Sequence, residues 1–150
     1  MSDSLPSKTS VHQIMYESKF YPGKHELSTY HGSCHCGAVQ FTFSLPALAT
    51  IHVNQCNCSI CEINGYLNVY PFRSDFTLDS GEGELSVYRF GNKHKQHKFC
   101  RVCGTSLMID LADQPRDAQS RFGDISEYMA INVSFGVTVD AWLTANRCGH

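Results

Sequence analysis

The sequence predicts a mainly β protein with a single domain, and three observations support this prediction. Six short runs alternate between apolar and polar residues, which is the two-residue period that places every second side chain of a strand on one face. Residues that favour turns, chiefly glycine, asparagine, aspartate and proline, fall between these runs. A chain of 150 residues has the usual length of one domain and is long enough to bury a hydrophobic core.

The N-terminal part of the chain differs from the rest. Residues 1–29 are polar, contain two prolines and show no clear period, which is typical of an extension that is ordered in part at most. A short helix is expected around residues 11–20. The β pattern begins at residue 30, so the sequence predicts an extension over residues 1–29 and a domain over residues 30–150.

The domain contains the six runs with the strand pattern. Val39, Phe41 and Phe43 show the period most clearly. In chain order the runs cover residues 37–45, 50–56, 66–72, 84–90, 105–111 and 128–135. Turns are expected at residues 79–84 and 90–95, and residues 113–124 predict a surface loop with room for a short helix. We expect the aliphatic and aromatic residues of the runs to form the core.

Charge and hydrophobicity exclude several classes of protein. The formal net charge is -2, so no overall positive field favours binding to nucleic acid. No run approaches the ~18 consecutive apolar residues of a membrane-spanning helix. The first residues lack the apolar stretch of a secretory signal, so we expect a cytoplasmic protein with neither nucleic acid nor membrane as a partner.

The eight cysteines carry the strongest chemical signal in the sequence. Disulfides are disfavoured, because C-x-C and C-x-x-C pairs without a secretory signal are typical of metal binding. A disulfide within C-x-C would also close a strained ring. Seven of the cysteines fall in the segments "SCHCG", "CNCSIC" and "FCRVCG", as Cys34 and Cys36, then Cys56, Cys58 and Cys61, then Cys100 and Cys103.

The first and last of these segments together predict a closed metal site. In "FCRVCG" a tight turn aims both sulfurs at one ion, and Gly104 permits the backbone conformation that follows the second ligand. Gly37 stands in the same place after "SCHC". Two such pairs supply four thiolates, the ligand set of a structural zinc site that joins distant parts of the chain.

The middle segment predicts a different kind of site. Cys56 and Cys58 lie two residues apart, so an extended backbone places them on one side, and Cys61 returns over the next turn. Three thiolates leave one coordination position of a zinc ion open for water or for a substrate sulfur, which is typical of a catalytic metal site. An all-sulfur site also suits a soft ligand such as a thiol.

Spacing alone leaves other arrangements open. Cys58 and Cys61 could instead combine with Cys100 and Cys103, leaving Cys34, Cys36 and Cys56 as a mixed trio. An iron–sulfur cluster would use the same four thiolates. Cys148 could complete the trio, although a free thiol near the C-terminus is the favoured interpretation. None of the histidines is interpreted first as a ligand. His94 and His97 are expected on a solvated basic strand or loop, and His35, between two ligands, is expected to point away from the ion. His31 and His52 are interpreted as surface or core residues.

Few other residues suggest chemistry. Lys93, Lys95 and Lys98 form a basic cluster that is interpreted first as a solvated hairpin and second as a contact for a substrate carboxylate. Tyr66 and His52 are candidate proton donors because they are near the trio in sequence. The sequence contains no nucleophile-elbow serine motif and no phosphate-binding or dinucleotide-binding glycine motif.

The three cysteine segments, in this order and spacing, resemble the glutathione-dependent formaldehyde-activating enzyme family, also called the CENP-V/GFA domain. The resemblance runs from about Gly32 to about Asp140 and rests on "GSCHCGAVQF", "CNCSIC" and "FCRVCGTSL". It implies an Mss4-like (β-tent) fold with two zinc ions. The structural ion then falls on Cys34, Cys36, Cys100 and Cys103, and the catalytic ion on Cys56, Cys58 and Cys61.

The same resemblance implies a function. The expected activity is that of a carbon–sulfur lyase or synthase that acts on a glutathione adduct, as in the formation of S-hydroxymethylglutathione from glutathione and formaldehyde. A second possibility is removal of glutathione from a bulkier conjugate, with Tyr66, Tyr70 and Phe72 lining a wider pocket. A third is a zinc-stabilised protein-binding module without turnover. Asn57 and Glu62 stand where many relatives carry a histidine and a basic residue.

Overall fold

The computed structural model describes residues 17–115, 123–134 and 137–139, and it confirms a mainly β fold. The described residues form one short α-helix, α1 (Ser59–Asn64), and three 3-10 helices, Leu48–Thr50, Arg73–Asp75 and Glu82–Glu84. The strands are β1 (Leu27–Ser33), β2 (Gln40–Pro46), β3 (Asn68–Val69), β4 (Phe76–Ser80), β5 (Leu85–Tyr88), β6 (Gln96–Cys100), β7 (Ser106–Asp110), β8 (Met129–Asn132) and β9 (Thr138–Val139).

The strands form two antiparallel sheets. The first sheet has the order β4-β2-β1-β9, and the second has the order β3-β8-β7-β6-β5. Each sheet is built around a hairpin, β1–β2 in the first and β6–β7 in the second. Among the described residues, no helix combines the length and the apolar character that crossing a bilayer requires.

The main core lies where the inner faces of the two sheets meet. Phe41 and Phe43 of β2 pack in one cluster with Leu107 of β7 and Ile131 of β8, and all four side chains are fully buried. Burial of each such side chain stabilises the fold by roughly 1.5–3 kcal/mol. Gly32 is directly opposite Phe41 in the β1–β2 pair, and a Cβ atom there would overlap the Phe41 ring.

A second, smaller core covers the outer face of the second sheet. Cross-strand partners on this face form one row, because side chains alternate between the two faces of a strand. Ile109 and Ala130 of that row pack with Cys61 and Tyr66 in a cluster separate from the main core. The segment that carries the three clustered cysteines therefore lies on the outer face of the second sheet.

Four of the six predicted strands are confirmed. Strands β5, β7 and β8 lie within the predicted runs, and β2 ends one residue beyond its run. The run 66–72 contains only the two-residue β3. The run 50–56 forms no strand, so that prediction is wrong. Its residues are mostly exposed, and one isolated bridge, Asn54 to Asn68, ties them to the sheet.

The sequence did not predict β1, β4, β6 and the two-residue β9. Strand β1 buries Tyr30 and Gly32, so its inward face shows no apolar period. Strand β6 reads "QHKFC" and is largely polar. The turn expected at residues 79–84 begins later, because Asp79 and Ser80 still belong to β4.

The first described residues pack onto the domain. Tyr21 is buried in the main core, and β1 begins at Leu27 rather than at residue 30. Residues 17–20 form no helix. The rest of the helix expected around residues 11–20, and residues 116–122 of the expected surface loop, lie outside the described residues.

Candidate metal centres

The four-cysteine cluster, Cys34, Cys36, Cys100 and Cys103, forms between the two hairpin turns. The four sulfurs all lie within 4.8 Å of one another. The Cys34 and Cys36 sulfurs are 3.5 Å apart, and those of Cys36 and Cys100 are 3.7 Å apart. Zinc–sulfur bonds of about 2.3 Å would place the sulfurs of a tetrahedral site about 3.8 Å apart. The observed separations therefore fit a four-thiolate metal site, and they are too long for a disulfide.

Local backbone geometry brings these sulfurs together. Gly37 (φ 77°) and Gly104 (φ 78°) adopt the left-handed conformation that glycine accepts without strain. The Val39 backbone N–H donates to the Cys34 sulfur at 3.3 Å, and such N–H groups stabilise a thiolate. The Gly104 N–H closes its turn on the Cys100 carbonyl at 2.7 Å. Each hairpin turn thus presents one cysteine pair to the other sheet.

The three-cysteine cluster, Cys56, Cys58 and Cys61, forms around the start of α1. Cys58 is the N-cap residue of the helix, and Cys61 lies in its first turn. The three sulfurs lie within 4.8 Å of one another. The Cys58 backbone N–H donates to the Cys56 sulfur at 3.4 Å, and the Asn68 side-chain amide lies 3.9 Å from the Cys61 sulfur as a donor.

The electrostatics of this cluster favour a bound cation. Burial, then the hydrogen bond with Cys58 and the charges of the neighbouring sulfurs, raise the pKa of the Cys61 thiol to about 12. The pKa of Cys58 is lowered: burial raises it, but hydrogen bonds from Cys61 and Cys56 and the charge of Lys95 outweigh that burial. Because three adjacent thiolates repel each other, a divalent metal ion is the group that would let all three ionise together.

The spacing allows two ways of grouping the cysteines, and the structure shows one of them. Its two clusters are Cys34, Cys36, Cys100 and Cys103, and Cys56, Cys58 and Cys61. The seven described cysteines form no disulfide. Cys58 and Cys61 lie with Cys56 and not with Cys100 and Cys103. Cys148 lies outside the described residues. The assignment of the seven residues as metal ligands stays a prediction.

A polar cavity of about 380 Å³ opens beside the three-cysteine cluster. Its lining residues are Gln55, Cys56, Asn57, Cys61, Glu62, Gly65 and Tyr66. Of the two proton donors suggested by sequence, Tyr66 lines this cavity, whereas His52 is exposed and is not among the lining residues. Phe72 lines a different cavity of about 600 Å³, together with Arg73, Ser74, Ser126 and Glu127.

Tyr70 packs against the smaller core, which contains Cys61 and is also contacted by Cys56, and the sequence suggested Tyr70 only as a pocket-lining residue. Its pKa is raised, first by burial and then by the charges of Cys56, Cys61 and Cys58, although the hydrogen bond with Asn54 lowers it. The Asn54 side-chain amide donates to the Tyr70 hydroxyl oxygen at 2.7 Å. Since that bond occupies an oxygen lone pair, the hydroxyl hydrogen is free to point elsewhere.

The N-terminal segment fixes the position of Tyr70. The Phe20 ring stacks on the Tyr70 ring at a centroid distance of 4.2 Å. The Tyr70 backbone N–H donates to the Tyr21 hydroxyl at 2.9 Å. These partners are about 50 residues away in the chain, so no local sequence pattern could have indicated them.

The lysines of the basic cluster, Lys93, Lys95 and Lys98, have different surroundings. Lys98 lies 3.4 Å from the carboxylate of Asp110, which also pairs with Arg73 at 2.7 Å. Lys95 is exposed, and its charge acts on both Cys58 and His97. Of the three lysines, Lys95 is the one whose charge helps to lower the pKa of Cys58.

His97 was expected to be solvated, and that expectation is wrong. It is 4% exposed, because its strand partner Ile109 lies in the smaller core and the Tyr66 ring covers it at a centroid distance of 6.3 Å. Burial, and then the charge of Lys95, lower the pKa of His97. Neither ring nitrogen has a hydrogen-bond partner in the part of the chain that the structure describes.

Comparison with known proteins agrees with this geometry. Residues 29–143 match the model of the family described as glutathione-dependent formaldehyde-activating enzyme. The fold is similar to the crystal structure of a Rhodobacter sphaeroides protein determined by structural genomics, with a TM-score of 0.57 and 27% sequence identity. That match covers 79% of this chain and 91% of the other.

The family match extends over both cysteine clusters and over strands of both sheets. The Mss4-like fold class predicted from the sequence is confirmed by the two antiparallel sheets, the clustered cysteines and this match. The chain belongs to the glutathione-dependent formaldehyde-activating enzyme family, and its cysteine clusters suit a metal-binding protein with glutathione-related activity.

Proposed function

We propose that the protein is a zinc-dependent carbon–sulfur lyase or synthase that acts on a glutathione adduct. It would hold two zinc ions per chain, a structural one in the four-cysteine cluster and a catalytic one in the three-cysteine cluster. The observation that carries the proposal is the convergence of three sulfurs, one short of a closed site, beside a polar cavity. A reducing compartment such as the cytoplasm would keep these thiols available.

The two clusters would serve different purposes. When bound at Cys56, Cys58 and Cys61, a zinc ion supplies a positive charge that keeps a substrate thiol ionised near neutral pH. The four-cysteine cluster has no free position and joins the two hairpins. The cavity beside the trio provides the polar side chains of Gln55 and Asn57 and the carboxylate of Glu62, which suit the polar peptide part of glutathione.

Tyr70 is the proposed proton carrier of the reaction. As the glutathione sulfur bonds to the formaldehyde carbon, the carbon–oxygen double bond becomes a single bond and its oxygen needs a proton. The Tyr70 hydroxyl donates that proton, and the tyrosinate regains the proton that the glutathione thiol released. The reverse reaction uses the same groups. The bond from Asn54 supports this role, because it leaves the Tyr70 proton directed away from the amide.

The function is tested by exchange NMR with glutathione and 13C-labelled formaldehyde. Because the adduct forms spontaneously, the measured quantity is the rate of exchange between free and bound formaldehyde. We expect the zinc-loaded protein to raise this exchange rate well above the spontaneous rate. With protein treated with a chelator, the exchange rate should equal the spontaneous rate. If the loaded protein accelerates neither this exchange nor the release of glutathione from bulkier conjugates, the catalytic proposal fails and a binding module becomes the better account.

Tyr70→Phe tests the proton carrier. We expect the rate of adduct formation to fall by about 10²–10⁴-fold, the usual contribution of a positioned acid or base. Zinc content and the melting temperature should stay at the parental values, since the ring and its stacking on Phe20 remain. Tyr66→Phe is the matched control, because Tyr66 lines the cavity and was the candidate suggested by sequence. A larger loss in Tyr66→Phe than in Tyr70→Phe would transfer the role to Tyr66.

A further inference from the structure

Asn68 is a buried asparagine whose side chain contacts the three-cysteine cluster. It lies in the short strand β3 and is only 2% exposed. Its side-chain nitrogen lies 3.9 Å from the Cys61 sulfur as a hydrogen-bond donor. Its side-chain oxygen, which is also buried, has no hydrogen-bond partner among the described residues. Within that part of the chain, the Cys61 sulfur is therefore the one polar group to which this amide is bonded.

The sheet fixes the direction of the Asn68 side chain. On one side Asn68 pairs with Asn132 of β8, and on the other its backbone N–H and C=O both bond to Asn54 at 2.9 Å. Asn132 lies two residues from Ala130, so its side chain is on the face that carries the smaller core. Asn68, directly opposite Asn132, shares this face, and Cys61 packs there. Because strand pairing on both sides holds the backbone, the amide is a fixed point for the sulfur.

Folding alone does not account for an amide at this position. A buried polar atom without a partner destabilises the fold, and the Asn68 side-chain oxygen is such an atom. Asn132 provides the contrast, because its amide is fully used. Its oxygen accepts from the backbone N–H groups of Leu67 and Ser134, and its nitrogen donates to the Ser106 carbonyl. The bond that the Asn68 side chain does make is directed at a sulfur of the candidate metal cluster.

We propose that Asn68 is a positioning residue of the reaction, which acts through Cys61. Its N–H donates to the Cys61 thiolate and holds that sulfur where it converges with the sulfurs of Cys56 and Cys58. This inference rests on the proposed function, because it requires a zinc ion at the three-cysteine cluster. A group that supports a metal ligand in this way orients the ligand and strengthens binding of the ion.

An uncharged donor to Cys61 suits the chemistry of the cluster. Cys58 is exposed to water, and Cys56 receives the Cys58 backbone N–H, whereas Cys61 is buried. Three thiolates around one divalent ion leave a net negative charge, and a hydrogen bond to the buried sulfur disperses part of it. A lysine here would be a buried charge whenever the ion is absent, but an amide is neutral in both states. Only the amide nitrogen suits this place, because a thiolate accepts hydrogen bonds and cannot donate them.

The test measures the zinc affinity of the three-cysteine cluster by competition with a chromophoric chelator. Asn68→Leu keeps the branched shape of the side chain without the donor, and Asn68→Ala lacks the donor and cannot overpack the site. We expect both variants to retain the ion of the four-cysteine cluster. They should bind the second ion about 10–100-fold more weakly than the parent, the usual effect of losing a group that supports a metal ligand.

Asn132→Ala is the matched control. It removes a buried amide from the opposite position on the neighbouring strand, but the partners of that amide are backbone groups and not a sulfur. We expect a lower melting temperature in circular dichroism and, in the folded protein, the parental zinc affinity at both clusters. An asparagine with a purely structural role would thus change stability without changing zinc affinity.

The outcomes separate the role of Asn68 from the proposed function. If the parent binds two zinc ions and both Asn68 variants bind the second ion as tightly as the parent, the positioning role is wrong and the proposed function stands. If Asn132→Ala weakens the second ion as much as Asn68→Ala does, the role is also wrong, because the loss then reflects general damage to the sheet. If the parent binds no second zinc ion, both proposals are overturned together.

Discussion

Replacing Cys100 with serine is expected to remove most of the stability of the domain. Cys100 is fully buried, it packs in the main core, and it is one of the four sulfurs that connect the two hairpins. A structural zinc site contributes on the order of 10 kcal/mol to folding in isolated zinc-finger peptides. The net stability of an ordinary domain is about 5–15 kcal/mol, so even a fraction of that loss is severe.

The effect should be large here because the cluster links the two sheets. Cys34 and Cys36 lie in the turn between β1 and β2, and Cys100 and Cys103 lie at the turn between β6 and β7. Without the ion, the turns lose a connection between segments whose cysteines are 64 residues apart. The expected result is a melting temperature lowered by tens of degrees, or an unfolded protein, in circular dichroism.

Cys36→Ser separates loss of the metal from damage to the core. Cys36 is exposed, so a hydroxyl in its place is solvated and adds no buried polar group. Elemental analysis should find two zinc ions in the parent and one in Cys36→Ser, together with a large loss of thermal stability. If both variants melt like the parent, the four-cysteine cluster is not a structural metal site.

Short-range features of the sequence predicted the cysteine clusters well. Ligand pairs in "CHCG" and "CRVCG" depend on three or four consecutive residues, and the glycine after each pair does adopt a positive φ. The trio depends on six residues and on the start of a short helix. Such local geometry is nearly independent of the rest of the fold, so the spacing could indicate which sulfurs meet within one segment. Which segments share a site stayed open, because the fold decides it.

The remaining parts of the site depend on contacts between distant residues. Tyr70 gains its position from Phe20, Tyr21 and Asn54, and its environment from the trio. No pattern around "NVYPF" encodes those partners. Strand β1 was not predicted for a related reason. Its inward face includes Gly32, and the ring of Phe41 from the neighbouring strand packs against that glycine. Packing decided both features, and packing is not visible in a single sequence.

The basic segment shows how sheet register changes an interpretation. "NKHKQHKF" reads as a solvated stretch, and the pair Gly91 and Asn92 at its start predicts the turn that the structure contains. The strand that follows places His97 and Lys98 on opposite faces, because the period is two. One face is covered by Tyr66, so a histidine in a polar run becomes a buried residue. Lys95, two residues before His97, remains exposed.

Cys58→Ser is expected to abolish catalysis while leaving the fold intact. Cys58 is exposed and is the N-cap residue of α1, where it makes no side-chain capping hydrogen bond. Serine is among the best N-cap residues, so the helix start should be preserved or slightly stabilised. The four-cysteine cluster and both cores do not include this residue. We therefore expect the melting temperature to stay within about 4 °C of the parent, a shift that corresponds to roughly 1 kcal/mol in a chain of this size.

The chemistry should respond very differently from the fold. With two cysteines left in the cluster, the site loses a ligand and a negative charge, and elemental analysis should find one zinc ion instead of two. Loss of a residue that only supports a metal ligand costs about 10–100-fold in affinity or activity, so loss of a ligand should cost at least 100-fold. The exchange rate of formaldehyde with glutathione should therefore approach the spontaneous rate. Cys61→Ser should remove the same ion but also reduce stability, because the Cys61 side chain is buried in the smaller core. A Cys58→Ser variant that retains one zinc ion and exchanges formaldehyde at the parental rate would show that the reaction does not use the open three-cysteine site.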